Sequence, residues 1–349
     1  MGSSPAANSC SPISACSILL PWISLLARIL RITFASEACY LKSPCDNRMK
    51  WRNLFLGLRL SIFVLALIFL LLPFLYAFSN VYRPKMALRK EPASYALRYD
   101  SLSFLTSDGQ NIRGWLLYGK SEAPLILVCH GVGTNREDLM GVSQFLGDAG
   151  FNVLTFDFRA HGESTGRKTT FGFLEARDVE AAVQVMENKY AKRFSAIGLY
   201  AISMGSAAAI FAAKNIPEVR AFVFDSPFAR LSEVVAFRFR YFPGPLRRVF
   251  SFLTNFYGSI LMGIDTEKIS PEAEASNLNG RPVLIYHGDR DLLIPVSQGE
   301  KLFQKIPGPK EFIHIPGAAH VQSYDLLGKI YEQKTIRFFK TYLGFSGSI

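Results

Sequence analysis

Ser203 stands at an abrupt junction. The apolar run Ala196–Ile202 stops there, and the small-residue, helix-favouring run from Met204 to Ala213 begins at once. Strand, serine, helix with almost no loop is the layout of a nucleophile elbow. Such a turn exposes the hydroxyl above the sheet edge and aims the first N–H groups of the helix at whatever it attacks. Small residues are needed where strand and helix cross, and Gly205 meets that need. Ala201 occupies the place of the first glycine in G-x-S-x-G, so the motif reads A-x-S-x-G. Alone it is a weak signal, because a buried serine before an ordinary helix has the same appearance.

A serine hydroxyl is a poor nucleophile at neutral pH and needs a base within hydrogen-bond reach. The candidate bases and acids follow other apolar runs. After Leu125–Cys129 comes His130-Gly131-Val132-Gly133-Thr134. After Val153–Phe156 comes Asp157 to Ser164, with Arg159 and His161 inside it. Asp225 follows Ala221–Phe224, Asp289 and Asp291 follow His287, and His320 closes the Pro316–Ala319 loop beyond Phe312–Ile315. In open parallel sheets, ligands bind beyond the carboxyl ends of the strands. Ser203, Asp291 and His320 therefore land on one rim, in that chain order. Asp225 is the alternative acid, Asp289 reads as a turn residue, and His314 as a packing or surface residue. Cys129, in an apolar strand, reads as a small core residue.

The elements that position these residues are legible in the patterning. Leu97–Leu105 and Ile112–Tyr118 flank the turn signal Ser107-Asp108-Gly109 and read as a hairpin. Short continuous apolar runs then alternate with helical patterns around Asp138–Gly147, Leu174–Tyr190 and Ser206–Lys214. That alternation predicts a mostly parallel sheet covered by helices on both faces. Tyr324–Tyr342 reads as the last helix. Pro227–Gly280 breaks the rhythm with an insertion rich in aromatic and basic residues, among them Arg238, Phe239, Phe250, Phe252 and Phe256. It reads as a lid that covers substrate or faces a membrane.

Composition narrows the class. Hydrophobic residues make up 49% of the 349, and the net charge is +11. Residues 1–90 hold 11 Lys and Arg against 2 Asp and Glu, so most of the basic excess flanks one apolar block and the remainder is nearly neutral. This is a membrane-surface pattern rather than a nucleic-acid face. Leu60–Phe78 is 19 residues without a charge, which as a helix spans roughly 28 Å, close to a bilayer core. It reads as a signal-anchor helix, with a cleaved signal peptide at Ala77-Phe78-Ser79 as the alternative. The short N-terminal side favours a catalytic domain outside the cytoplasm. Residues 1–59 read as an N-terminal extension, with Met49 a natural start, 79–94 as a linker, and 95–345 as the catalytic domain. Cys10, Cys16, Cys39 and Cys45 all precede residue 49 and show no disulfide or zinc spacing.

Taken together, His130-Gly131, the D-x-R-x-x-G-x-S stretch Asp157–Ser164, the serine junction, H-G-x-x-D at His287–Asp291 and the final His320 resemble the α/β-hydrolase family. The resemblance covers roughly residues 95–345, and membrane-anchored serine hydrolases related to serine aminopeptidases and lysophospholipases are the most similar group. It implies an eight-stranded α/β-hydrolase fold with Ser203 as nucleophile, His320 as general base and acid, and Asp291 orienting the imidazole. Backbone N–H groups of Val132 and Met204 would bind the oxyanion. His130 and His287 would tie loops together, and Asp157 would pair with Arg159. The resemblance implies no metal or organic cofactor. The expected substrate is a small-molecule or lipid ester or thioester with an apolar acyl group. A serine peptidase or amidase, and a non-catalytic binding protein of the same fold, are the alternatives.

Overall fold

The computed structural model describes residues 47–95, 97–190 and 193–346. The four N-terminal cysteines and the apolar stretch 18–34 lie outside the described residues. A helix α1, Asn47–Val81, comes first. The chain divides into two compact units at Ala66–Leu67, inside this helix. In the first unit the helix exposes Leu60, Ile62 and Phe63. Trp51–Val81 is long and apolar enough to cross a membrane. The helix begins well upstream of the expected Leu60, because nothing between Asn47 and Leu60 breaks it.

The second unit carries an eight-stranded sheet in the order β1-β2-β4-β3-β5-β6-β7-β8. β1 (Tyr99–Leu105) and β2 (Asn111–Leu117) form the expected hairpin, and β2 also runs antiparallel to β4 (Asn152–Phe156). β3 (Leu125–Cys129), β5 (Ile197–Ile202), β6 (Val219–Asp225), β7 (Val283–Gly288) and β8 (Lys310–Ile315) complete a parallel run. Every residue of β3, β4, β5 and β7 is buried, which is why those segments read as unbroken apolar runs. Two apolar clusters fill the two faces, one around Leu127, Leu199 and Phe222, the other around Val128, Tyr200 and Tyr286.

Helices α2 (Met140–Asp148), α3 (Ala176–Lys189) and α4 (Met204–Ala212) follow their strands as expected. The insertion folds as α5 (Leu231–Arg238) and α6 (Gly244–Met262), and α7 (Val296–Lys305) follows β7. The last helical stretch is two pieces rather than one, α8 (Ser323–Leu327) and α9 (Lys329–Leu343). Gly328 separates them at φ 49° and ψ −120°, a conformation that glycine adopts without a Cβ penalty.

The expected pair between Asp157 and Arg159 does not form. Asp157 instead binds the Arg136 guanidinium and accepts the backbone N–H groups of Arg136 (2.8 Å) and Glu163 (2.9 Å). Arg159 reaches Asp178 at 2.7 Å and Asp108 at 2.7 Å. Both residues lie beyond the last residue of β4, where strand alternation no longer sets side-chain direction, and each finds its partner on a different element. Arg136 also stacks over Trp115, 4.2 Å from the ring centre. Removing the Asp157 carboxylate leaves the Arg136 charge, whose side chain is 4% exposed, with only the solvent-exposed Glu163 carboxylate as counter-ion. Asp157→Ala is expected to cost about 3–5 kcal/mol of unfolding free energy, read from denaturant unfolding in detergent. A loss below about 1 kcal/mol would mean the pair contributes nothing beyond a surface bridge.

Candidate active site

Register sets the rim. Ala201 in β5 lies level with Cys129 in β3 and Phe224 in β6, so the residues after all three strands emerge side by side. Ser203 sits there at φ 50° and ψ −117°. A non-glycine residue in that region costs about 1–3 kcal/mol and persists only where its surroundings dictate it. Here the Ser203 N–H donates to the Asp225 carbonyl at 2.9 Å, and α4 starts at the next residue. A Cβ at Gly205 would lie 2.6 Å from the Cys129 carbonyl oxygen and 2.7 Å from that of His130. Only glycine lets the helix start this close to β3. The Ala201 methyl is buried in the core, and the turn closes with alanine in place of glycine.

Ser203, His320 and Asp291 come together. The Ser203 hydroxyl lies 3.1 Å from His320 Nε2, and His320 Nδ1 lies 2.6 Å from Asp291 Oδ2. The carboxylate fixes the ring with its proton on Nδ1, leaving Nε2 free to accept from the serine. The other carboxylate oxygen accepts the N–H groups of Leu293 and Ile294, each at 2.8 Å. Burial by itself would raise the Asp291 carboxyl. The N–H groups of His287 and His320 and the backbone donors outweigh it and hold the group well below the usual carboxylate range. His287 Nε2 is 3.6 Å from that carboxylate and 3.0 Å from the Ile294 carbonyl, so it bonds the loop and acts on Asp291 only through space.

Asp225, the alternative acid, serves the loop instead of the ring. It accepts the hydroxyls of Ser226 and Ser323 at 2.9 Å and of Tyr331 at 3.1 Å. Ser226 Oγ in turn accepts the N–H of Val321 at 3.1 Å. Val321 is a β-branched residue at φ 57°, so this network holds a strained backbone directly after His320. Asp289 Oδ1 accepts the Gly317 N–H at 2.7 Å, the turn role expected of it. His314 is exposed at the far edge, 3.6 Å from Glu300. Burial pushes the Cys129 thiol up, as befits an inert core residue.

Two rings shape the loop after β3. His130 accepts the Phe158 N–H at 2.9 Å and faces the Gly131 carbonyl at 2.7 Å. His161 accepts the Gly133 N–H at 3.1 Å. Burial drives His130 well below its ordinary value, so the ring is neutral. Between these anchors the N–H of Val132 has no acceptor among the described residues, and the same holds for Met204 at the start of α4.

A cavity of roughly 170 Å³ opens on Ser203, Val132, Met204 and His320. Val81 and Tyr76 of α1, Leu231 and Val235 of α5, and Gly258 and Met262 of α6 form its walls. The insertion thus borders the serine, and the second-unit end of α1 does so too. Phe74 and Tyr76 pack edge-on against Tyr257 and Phe239. A larger groove, about 690 Å³, runs between β8 and α9 and holds none of the rim residues. No spacing in the sequence signals that Tyr76, Asn80 and Thr254 line the cavity of the serine, because their places depend on how α1 and α6 pack.

The family model described as serine aminopeptidase, S33, matches residues 120–280. YqkD of Bacillus subtilis is 32% identical over 237 residues, 66% of this chain and 75% of that protein. Human ABHD12B is 29% identical over 189 residues, covering 52% of this chain and 49% of its own length. Among solved structures, the Pyrococcus furiosus esterase Pf2001 superposes with a TM-score of 0.65 at 26% identity, covering 76% of this chain and 99% of that one.

A lowered native pKa stabilises the fold above the unfolded-state value, and the gain disappears as pH falls through the native value. The stability difference between wild type and Asp291→Asn is therefore expected to be constant above about pH 5 and to shrink below about pH 4. Denaturant midpoints measured across that range check it. A difference that grows on acidification would contradict the assignment.

Proposed function

The chain belongs to the α/β-hydrolase superfamily, and from that premise we propose that it is a membrane-anchored serine hydrolase of carboxylic esters or thioesters. The observation that carries the reading is the continuous contact from Ser203 Oγ through the His320 ring to Asp291, 3.1 Å and 2.6 Å. His320 takes the serine proton as Oγ attacks the acyl carbon. The carbonyl oxygen becomes an oxyanion beside the free N–H groups of Val132 and Met204, donors worth on the order of 3 kcal/mol each. Collapse expels the alcohol or thiol, which receives the proton from His320. Water then repeats the sequence on the acyl-enzyme. Asp291 stays ionised throughout and stabilises the imidazolium.

The apolar walls of the cavity favour an apolar acyl group. The insertion acts as the lid. On α6, Val249, Phe252, Phe256 and Ile260 are all exposed, at a spacing that gathers them on one side of the helix. With Arg247 and Arg248 beside them, they suit a membrane surface next to a spanning α1. The catalytic domain lies outside the cytoplasm on this reading. The peptidase alternative has the family description in its favour. An aminopeptidase, however, must hold a substrate ammonium, and no carboxylate lines the cavity among the described residues.

A fluorophosphonate probe is expected to label wild type and not Ser203→Ala, and Asp291→Asn should lower kcat by about 10⁴-fold. Turnover of p-nitrophenyl esters should rise with acyl length. Undiminished turnover by Ser203→Ala would refute the nucleophile. The full chain is also expected to stay in the membrane pellet after an alkaline carbonate wash; release into the supernatant would refute the spanning helix.

A further inference from the structure

The cavity beside Ser203 is lined by two guanidinium groups, Arg83 and Arg238, and by no carboxylate. Arg83 lies just beyond α1, where it touches the loop that carries Val132. A Cβ on Gly133 would sit 3.0 Å from Arg83 Nη1. Its other contact is a hydrogen bond to Asn80 Oδ1. Arg238 is the last residue of α5 and lines the same cavity. Its Nε donates to the Tyr76 hydroxyl at 3.2 Å and its Nη1 to the Leu292 carbonyl at 3.2 Å. Neither arginine makes an ion pair among the described residues.

This arrangement presents two unpaired positive charges to one cavity. Arginine stays protonated in proteins, and with Arg83 exposed and Arg238 half-buried both guanidinium groups remain open to a ligand. Burial and the neighbouring Arg238 both pull the Arg83 guanidinium below its ordinary value. A bound anion offsets the repulsion between the two like charges. The same wall holds Thr254 Oγ1 and Asn255 Oδ1, buried and without a hydrogen-bond partner in the protein. The remaining lining is apolar. A matching ligand therefore has a hydrocarbon part, groups that hydrogen-bond, and negative charge. Two positive charges with no internal counter-ion suit a phosphate monoester, which carries about −1.5 to −2 at pH 7, better than a single carboxylate. Planar guanidinium forks also match phosphate oxygens in pairs.

We propose that Arg83 and Arg238 form an anion subsite of the Ser203 cavity, and that the enzyme selects acyl esters whose alcohol part bears a phosphate. This rests on Ser203 being the nucleophile. The test compares two esters with the same oleoyl chain and scissile bond, 1-oleoyl-lysophosphatidic acid and 1-oleoylglycerol, using the full chain in detergent. The selectivity ratio in kcat/KM is expected to favour the phosphate ester by about tenfold or more. Arg83→Gln and Arg238→Gln should each lower that ratio by about tenfold, mainly through KM, and Arg83→Lys, which keeps the charge and loses the fork, should fall between wild type and Arg83→Gln. Added salt should shrink the ratio in wild type.

A wild-type ratio near one, in protein that fluorophosphonate labels, overturns the subsite and leaves the nucleophile standing. An unchanged ratio in the double glutamine variant does the same. Failure of labelling overturns the Ser203 reading, and a second arm then decides the subsite alone. In that arm, calorimetry of the Ser203→Ala chain with dodecyl phosphate and with dodecanol should show binding that requires the phosphate and is displaced by salt. Equal binding of the two amphiphiles refutes the subsite.

Discussion

Ser203 is held in a backbone conformation that a serine does not choose, φ 50° and ψ −117°, and much of the surrounding architecture exists to hold it there. The Asp225 carbonyl takes its N–H, β3 approaches so closely that position 205 admits no side chain, and α4 leaves without a connecting loop. These constraints come from three parallel strands ending at one level. A parallel sheet buried on both faces cannot easily shift register, because its side chains are close-packed against helices on either side. Strain at the turn is thus supported by the rigidity of the sheet.

The histidine side of the site rests on a different device. His320 comes from a loop, and loops are ordinarily mobile. Here Asp225, Ser226, Ser323 and Tyr331 form a buried polar network beneath it, in which each hydroxyl has a partner. A fully satisfied network of this kind rigidifies its surroundings. The acid that touches the ring is Asp291. The acid that holds the ring's loop is Asp225, and separating those tasks explains why two carboxylates follow neighbouring strands.

Much of this architecture is legible in the amino-acid sequence. Continuous apolar runs signalled the parallel strands, and polar residues just after them signalled the rim, because strand ends are where a parallel sheet presents side chains to a ligand. The hairpin turn at Asp108-Gly109 and the junction at Ser203 were equally visible. Partners across space were not. Asp157 and Arg159 are near in sequence and of opposite charge, yet in the loop beyond β4 they pair with Arg136 and Asp178 instead. The break at Gly328 was hidden inside a helical pattern. Arg83 stood out only as a basic residue flanking an apolar helix, and Arg238 only as one of several charges in the insertion. Their meeting at one cavity depends on the packing of α1 against α5 and α6, which has no local signature.

The account's central claim is that Ser203, His320 and Asp291 act as one unit. Groups that act together do not contribute additively: once one is lost, removing a second costs little more. The most direct test is a kinetic cycle comparing Ser203→Ala, His320→Ala and the double variant on one ester substrate. The account predicts that the double variant is within about threefold of the worse single variant. Losses that multiply, so that the double variant falls below either single variant by the full factor of the other, would contradict it.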